Sequence, residues 1–92
     1  MRLSSLLKKA NISVKTLIDF DVKGITSNSK DVQEGFIFVP LKGVNSDGIL
    51  FLDEAIKNGA KVVLLDRQLA TEIPQLLVQD ARECLARLAN LI

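Results

Sequence analysis

The sequence predicts an α/β domain with helices packed on a mixed or largely parallel sheet. Two short runs, Phe36-Ile37-Phe38-Val39 and Val62-Val63-Leu64-Leu65, are apolar without polar alternation. That is the pattern of strands covered on both faces. Between them, Phe51, Leu52, Ala55 and Ile56 fall at helical spacing, and a second helical stripe follows residue 80. Strands alternating with helices in this order place helices on a sheet rather than sheet on sheet.

The elements can be justified in turn. Leu3, Leu6, Leu7 and Ala10 sit at i, i+3, i+4 and i+7, the stripe of a short amphipathic helix. Residues 11–24 are mixed, with a short strand expected near Ile12 to Val14. Gly24 to Lys30 holds Thr, two Ser and Asn, residues whose side chains bond nearby backbone groups and so favour turns and caps. Gly35 introduces the first buried strand and Pro40, which has no N–H to give a ladder, ends it. Lys42 to Gly48 is a second polar loop, with Asp47 the expected N-cap of the next helix. Asn58-Gly59 stops that helix, glycine suiting the left-handed position after a helix end. The second buried strand runs from Lys61 to Leu65. Residues 67–73 read as a short helix or turn ending before Pro74, and Gln75 to Gln79 as a strand. Asp80 with Glu83 three positions on is an acidic capping box. Ala81, Cys84, Leu85, Leu88, Ala89 and Ile92 then form a 3.6-residue stripe still running at the last residue, the expectation for a helix that leads onward into a larger protein.

Composition narrows the function. Ninety-two residues suit one domain, 1–92, with a single core. At 48% hydrophobic and 25% charged, disorder is not expected. Twelve basic residues are interspersed with eleven acidic ones, and there is no Trp or Tyr, which argues against nucleic acid as a partner. No apolar run approaches the roughly 20 residues of a membrane span, and the N-terminus has no signal-peptide core; the expectation is a cytoplasmic domain without a membrane partner. With no histidine and one cysteine, His-based acid/base pairs, Cys-His nucleophiles, internal disulfides and cysteine metal clusters are all excluded.

Chemistry is left to two polar loops, Thr26-Ser27-Asn28-Ser29-Lys30 and Gly43-Val44-Asn45-Ser46-Asp47-Gly48. Loops that enter helices expose backbone N–H groups, a natural place for phosphate, and Ser and Asn can read a pyrimidine edge or a ribose. The same residues are also ordinary turn and cap formers. Neither loop is a Walker or dinucleotide fingerprint. Lys30 and Lys42 flank the loops as possible phosphate counter-charges or as plain surface lysines. Asp53 and Glu54, adjacent on a helix, diverge and read as a solvated face rather than a carboxylate pair. Cys84 reads as a small core residue.

On these loops the sequence resembles a known family. Ile25-Thr26-Ser27-Asn28-Ser29-Lys30, Gly35-Phe36-Ile37-Phe38-Val39-Pro40-Leu41-Lys42-Gly43, Asp47-Gly48-Ile49-Leu50-Phe51 and Ala55-Ile56-Lys57-Asn58-Gly59-Ala60 are similar to the N-terminal domain of the Mur ligases. That family carries a D-S-R triplet, a G-x-x-F-V-A-x-x-G strand and loop, a D-G-x-x-F helix start and an A-x-x-x-G-A helix end. Val78-Gln79-Asp80-Ala81-Arg82 and Leu85-Ala86-Arg87-Leu88-Ala89 are more similar to the MurE branch than to MurF.

The resemblance implies that residues 1–92 precede a central domain binding ATP and Mg2+ and a C-terminal domain helping to select the incoming amino acid. These two domains would be the chain's partners, together with UDP-N-acetylmuramyl-dipeptide. It implies an ATP-dependent, ADP-forming amide ligase acting through an acyl-phosphate, with no catalytic residue, metal ligand or cofactor of its own in these 92 residues. Carried over by position, the uridine and diphosphate contacts fall on Ser27, Ser29, Val44, Asn45 and Ser46, with the Ser29 hydroxyl as a donor and Gly43 and Gly48 allowing close backbone approach. Asn28 and Lys30 stand where the family has Asp and Arg, and Ile49 where relatives often have His. The alternatives are the corresponding MurF domain and a non-catalytic α/β module that binds a protein.

Overall fold

A computed structural model describes residues 1–16, 18–42 and 48–92. Among them a four-stranded, wholly parallel sheet runs in sequence order: β1 (Gly24–Thr26), β2 (Phe36–Phe38), β3 (Ala60–Leu65) and β4 (Gln75–Leu77). Three α-helices accompany it, α1 (Leu3–Lys9), α2 (Leu52–Asn58) and α3 (Ala81–Leu91), with 3-10 turns at Ser29–Asp31 and Gly48–Phe51. The expected α/β class holds, and the sheet is purely parallel.

The unbroken apolar runs are explained by two covered faces. Ile37, Val39, Val62, Leu64 and Leu76 point toward α1 and α3, packing with Leu3, Leu6, Leu7, Cys84 and Leu88. Phe38, Val63 and Leu65 point the other way, against Val32 and Ala55, with Leu52, Leu69 and Ile73 at the edge. Ala60 shares this second face although Val62, two residues on, lies on the first. The reason is a register shift: Phe36 pairs with Ala60 but Ile37 with Val62. Lys61 is therefore an extra residue, which inverts the alternation as a bulge does. Its exposed ammonium pairs with Glu34 at 2.8 Å.

Several expectations change. No strand forms at Ile12–Val14; the segment is irregular, and both side chains pack on the α1–α3 cluster. Of the short helix or turn expected at residues 67–73, no helix forms and the chain makes bends. The turn expected from Gly24 contains β1, a three-residue strand held by pairing with β2. The candidate cap Asp47 lies outside the described residues. The α-helix itself starts at Leu52, and its N-cap, Phe51, makes no side-chain cap bond. The capping box at α3 is half made: Asp80 accepts from the Glu83 N–H at 3.0 Å, while the Glu83 carboxylate takes Arg87 one turn on. On α3, Cys84 and Leu88 are buried, whereas Ala89 and Ile92 are exposed.

Gly59 fulfils its expected role. It is left-handed, at φ 116°, and a Cβ there would lie 2.5 Å from the Glu34 Cα. The helix end is thus pressed against the turn before β2, where the Gly35 N–H donates to the Gly59 carbonyl at 3.0 Å. At the other end of the chain, Asp19 caps α1 from a distance. Its carboxylate accepts from the Ser4 N–H at 3.0 Å and the Ser4 hydroxyl at 2.7 Å, and these bonds hold its pKa below the usual carboxylate value.

Candidate functional site

In open parallel sheets, ligands bind in the crevice outside the carboxyl ends of the strands. Ser27–Lys30 leaves the carboxyl end of β1 and Leu41 that of β2, while Gly48 and Phe51 enter α2. These residues line one cavity of about 350 Å3. Ser27 and Ser29 are thereby brought together, with Lys30 beside them. Val44, Asn45 and Ser46, together with Gly43 and Asp47, lie outside the described residues. The two ends of their segment do meet: the Gly48 N–H donates to the Leu41 carbonyl at 2.9 Å. A Cβ on Gly48 would sit 2.8 Å from both the Leu41 N and O, so glycine is needed at this position for the backbone crossing itself.

The first loop is built by local hydrogen bonds. Thr26 Oγ1 accepts from the Asn28 N–H, and Asn28 Oδ1 accepts from the Lys30 N–H, both at 3.0 Å. Asn28 thus caps the 3-10 turn, a role its side chain performs as well as the family's aspartate would. Ser29 is the one buried polar side chain among the described residues. Its hydroxyl donates to the Glu54 carboxylate, and its carbonyl accepts from the Asn58 Nδ2 at 3.0 Å. The Ser29 proton expected for a ligand is therefore directed to Glu54 instead; Glu54 is exposed, as expected, and also holds this partner. Sequence reasoning had no signal for this pair, because the two residues are 25 positions apart.

Lys42 falls elsewhere. It lines a separate, smaller hollow with Asp80 and Arg82, and its carbonyl accepts from the Arg82 guanidinium at 3.1 Å. A larger hollow, about 600 Å3, runs along α1 and residues 11–16 and includes no described residue of the loop pattern. Cys84 packs in the core cluster, and burial pushes its thiol pKa up, the behaviour of an inert core thiol. Among the described residues no group of three or more His, Cys, Asp or Glu is placed to hold a metal, and no helix is long and apolar enough to cross a membrane.

Comparison with known proteins is decisive on ancestry. Residues 21–91 match the family model described as Mur ligase family, catalytic domain. The chain belongs to the Mur ligase family. Among curated relatives, the UDP-N-acetylmuramoyl-L-alanyl-D-glutamate--2,6-diaminopimelate ligase of Caldanaerobacter subterraneus subsp. tengcongensis is 36% identical over 92 residues, covering 98% of this chain and 19% of the relative. The ligase of the same name from Aquifex aeolicus is 41% identical over 69 residues, covering 75% of this chain and 14% of the relative. The chain thus spans no more than about a fifth of the length of the Mur ligases it matches. Among solved structures, MurF from Acinetobacter baumannii superposes with a TM-score of 0.70 at 26% identity, covering 91% of this chain and 19% of that one. MurF from Thermotoga maritima in complex with ADP gives 0.61 at 37% identity, covering 73% and 16%. The α/β fold and the Mur ligase resemblance of the sequence are both confirmed, and the relatives' names favour the MurE branch.

Proposed function

We propose that these 92 residues are the N-terminal, UDP-recognising domain of a MurE-type ligase of peptidoglycan precursor synthesis, acting in the cytoplasm. The uridine end of UDP-N-acetylmuramyl-dipeptide sits in the cavity at the carboxyl ends of β1 and β2, against Ser27 and Ser29. Val44, Asn45 and Ser46 complete the site from the second loop. One observation carries the reading: Ser27 and Ser29 share a cavity with Leu41 and Gly48, which border the second loop on either side.

The larger protein would join an amino acid to the dipeptide with ATP and Mg2+. The 92 residues contain no phosphate-loop motif and no histidine, and the described residues offer no metal cluster. In this reading the nucleotide and metal are held by the central domain, as the family resemblance implies, and no step of the ligation is assigned to this chain. The MurF reading is favoured by the fold shared with MurF from Acinetobacter baumannii and from Thermotoga maritima. It is separated from MurE by whether the full-length ligase extends the UDP-muramyl dipeptide or the tripeptide.

Calorimetric titration of the chain tests the proposal. UDP and UDP-N-acetylmuramyl-dipeptide should bind with similar affinity, on the order of millimolar to tens of micromolar, because a few hydrogen bonds must offset the entropy of association. ATP with Mg2+ should not bind, and no ADP should be released. Absence of UDP binding at several millimolar, or substrate-dependent ADP release by the purified chain, contradicts the assignment.

A further inference from the structure

Ser29 is attached to α2 twice. Its hydroxyl donates to Glu54, and its carbonyl accepts from Asn58. Glu54 and Asn58 are four residues apart, hence neighbours on one helix face. The helix is itself fixed at its far end by the close fit of Gly59 on Glu34. The β1 loop is therefore supported by α2 rather than standing free. The chemistry of the link matters as much as its geometry. A serine hydroxyl has one proton and two lone pairs, and a carboxylate can only accept. With the proton committed to Glu54, the Ser29 hydroxyl has only lone pairs left to offer a ligand in the cavity that Ser29 helps to line.

We propose that Glu54 and Asn58 are positioning residues of this site, and that Glu54 sets Ser29 Oγ as an acceptor. Such an oxygen matches an N–H or O–H donor of a nucleoside, the imide of a pyrimidine or a ribose hydroxyl, and is repelled by a phosphate oxygen. The inference rests on the proposed UDP site and gives the Ser29 side of the cavity to the nucleoside rather than to the diphosphate.

The test is a double-mutant cycle on the chain, titrated with UDP and separately with inorganic diphosphate while amide spectra are followed. Ser29→Ala and Glu54→Ala should each weaken UDP binding about three- to tenfold, the loss of roughly one hydrogen bond. The combined variant should be no weaker than the weaker single, because Glu54 acts on UDP only through the Ser29 hydroxyl it orients. Diphosphate binding should stay within about twofold of wild type. Asn58→Ala, which keeps the Ser29 hydroxyl bond, should weaken UDP about two- to threefold and carries the test if Glu54→Ala does not fold. Wild-type affinity for UDP in a folded Glu54→Ala protein overturns the inference alone. So do losses that multiply in the combined variant, or a parallel loss of diphosphate. Failure of the wild-type chain to bind UDP overturns the proposed function, and this inference with it.

Discussion

The two faces of the sheet are built differently. The face under α1 and α3 is a continuous apolar layer from Leu3 to Leu88 with no buried polar side chain among the described residues. The face under α2 is smaller and grades at the carboxyl ends of the strands into the Ser29–Glu54–Asn58 hydrogen bonds and the cavity. The first face gives the domain its stability, through area removed from water. The second uses the seven-residue α2 to hold a polar loop. With the cavity as the proposed UDP site, stability and recognition are carried on opposite sides of one sheet, and substitutions should separate them.

The largest effect is expected on the first face. Leu6→Ala or Leu88→Ala, each at a fully buried position, should cost about 2–5 kcal/mol of unfolding free energy in urea. UDP affinity of the remaining folded protein should be unchanged. A loss of affinity at that distance from the cavity would break the division. Next comes Gly59→Ala, which forces a side chain into left-handed backbone and toward the Glu34 Cα. It should cost more than about 1 kcal/mol and should weaken UDP binding as well, because α2 supports the β1 loop. Ser29→Ala should cost about 1 kcal/mol of stability, the net value of one hydrogen bond, with its larger consequence in binding.

The smallest effect lies at the N-terminus. Asp21 is held at about 2 by the Lys23 ammonium and then by the N-terminal ammonium, at 2.6 and 2.8 Å. The folded value lies below the unfolded one of about 3.9. The stabilisation is therefore present above about pH 4 and is lost as pH falls through about 2. All these groups are exposed to solvent, so the effect is small. Asp21→Asn should lower the melting temperature slightly at about pH 5, and the difference from wild type should fade toward about pH 2. A difference that grew on acidification would assign the wrong sign to the interaction.

The sequence was most legible where one short segment determines its own structure. Phe36–Val39 and Val62–Leu65 announce buried strands because both faces are apolar, and Gly59 announces a helix end because the left-handed conformation excludes most other residues. Elements defined by distant partners were not legible. β1 is three residues long and polar at its end, and exists by pairing with β2. Asp19 caps a helix 15 residues before it. The bulge at Lys61 is a mismatch between two strands and leaves no mark in either alone. The site shows the same split. Ser27 and Ser29 could be named from the family resemblance of their loop, but Glu54 and Asn58 looked like a solvated residue and a stop signal. The bonds that Glu54 and Asn58 make to Ser29 come from where α2 lies against the β1 loop, which the packing of Ala55 and Leu52 beneath the helix and of Gly59 at its end decides.

The central claim is that recognition resides in the two loops at the carboxyl ends of β1 and β2. The most direct test is titration of the isotope-labelled chain with UDP-N-acetylmuramyl-dipeptide, following backbone amide shifts residue by residue. Saturable shifts concentrated at 26–30 and 43–48, with smaller ones along α2 at 54–58 and none on α1, are the expected result. Saturable shifts along α1 and residues 11–16, with both loops silent, would contradict it.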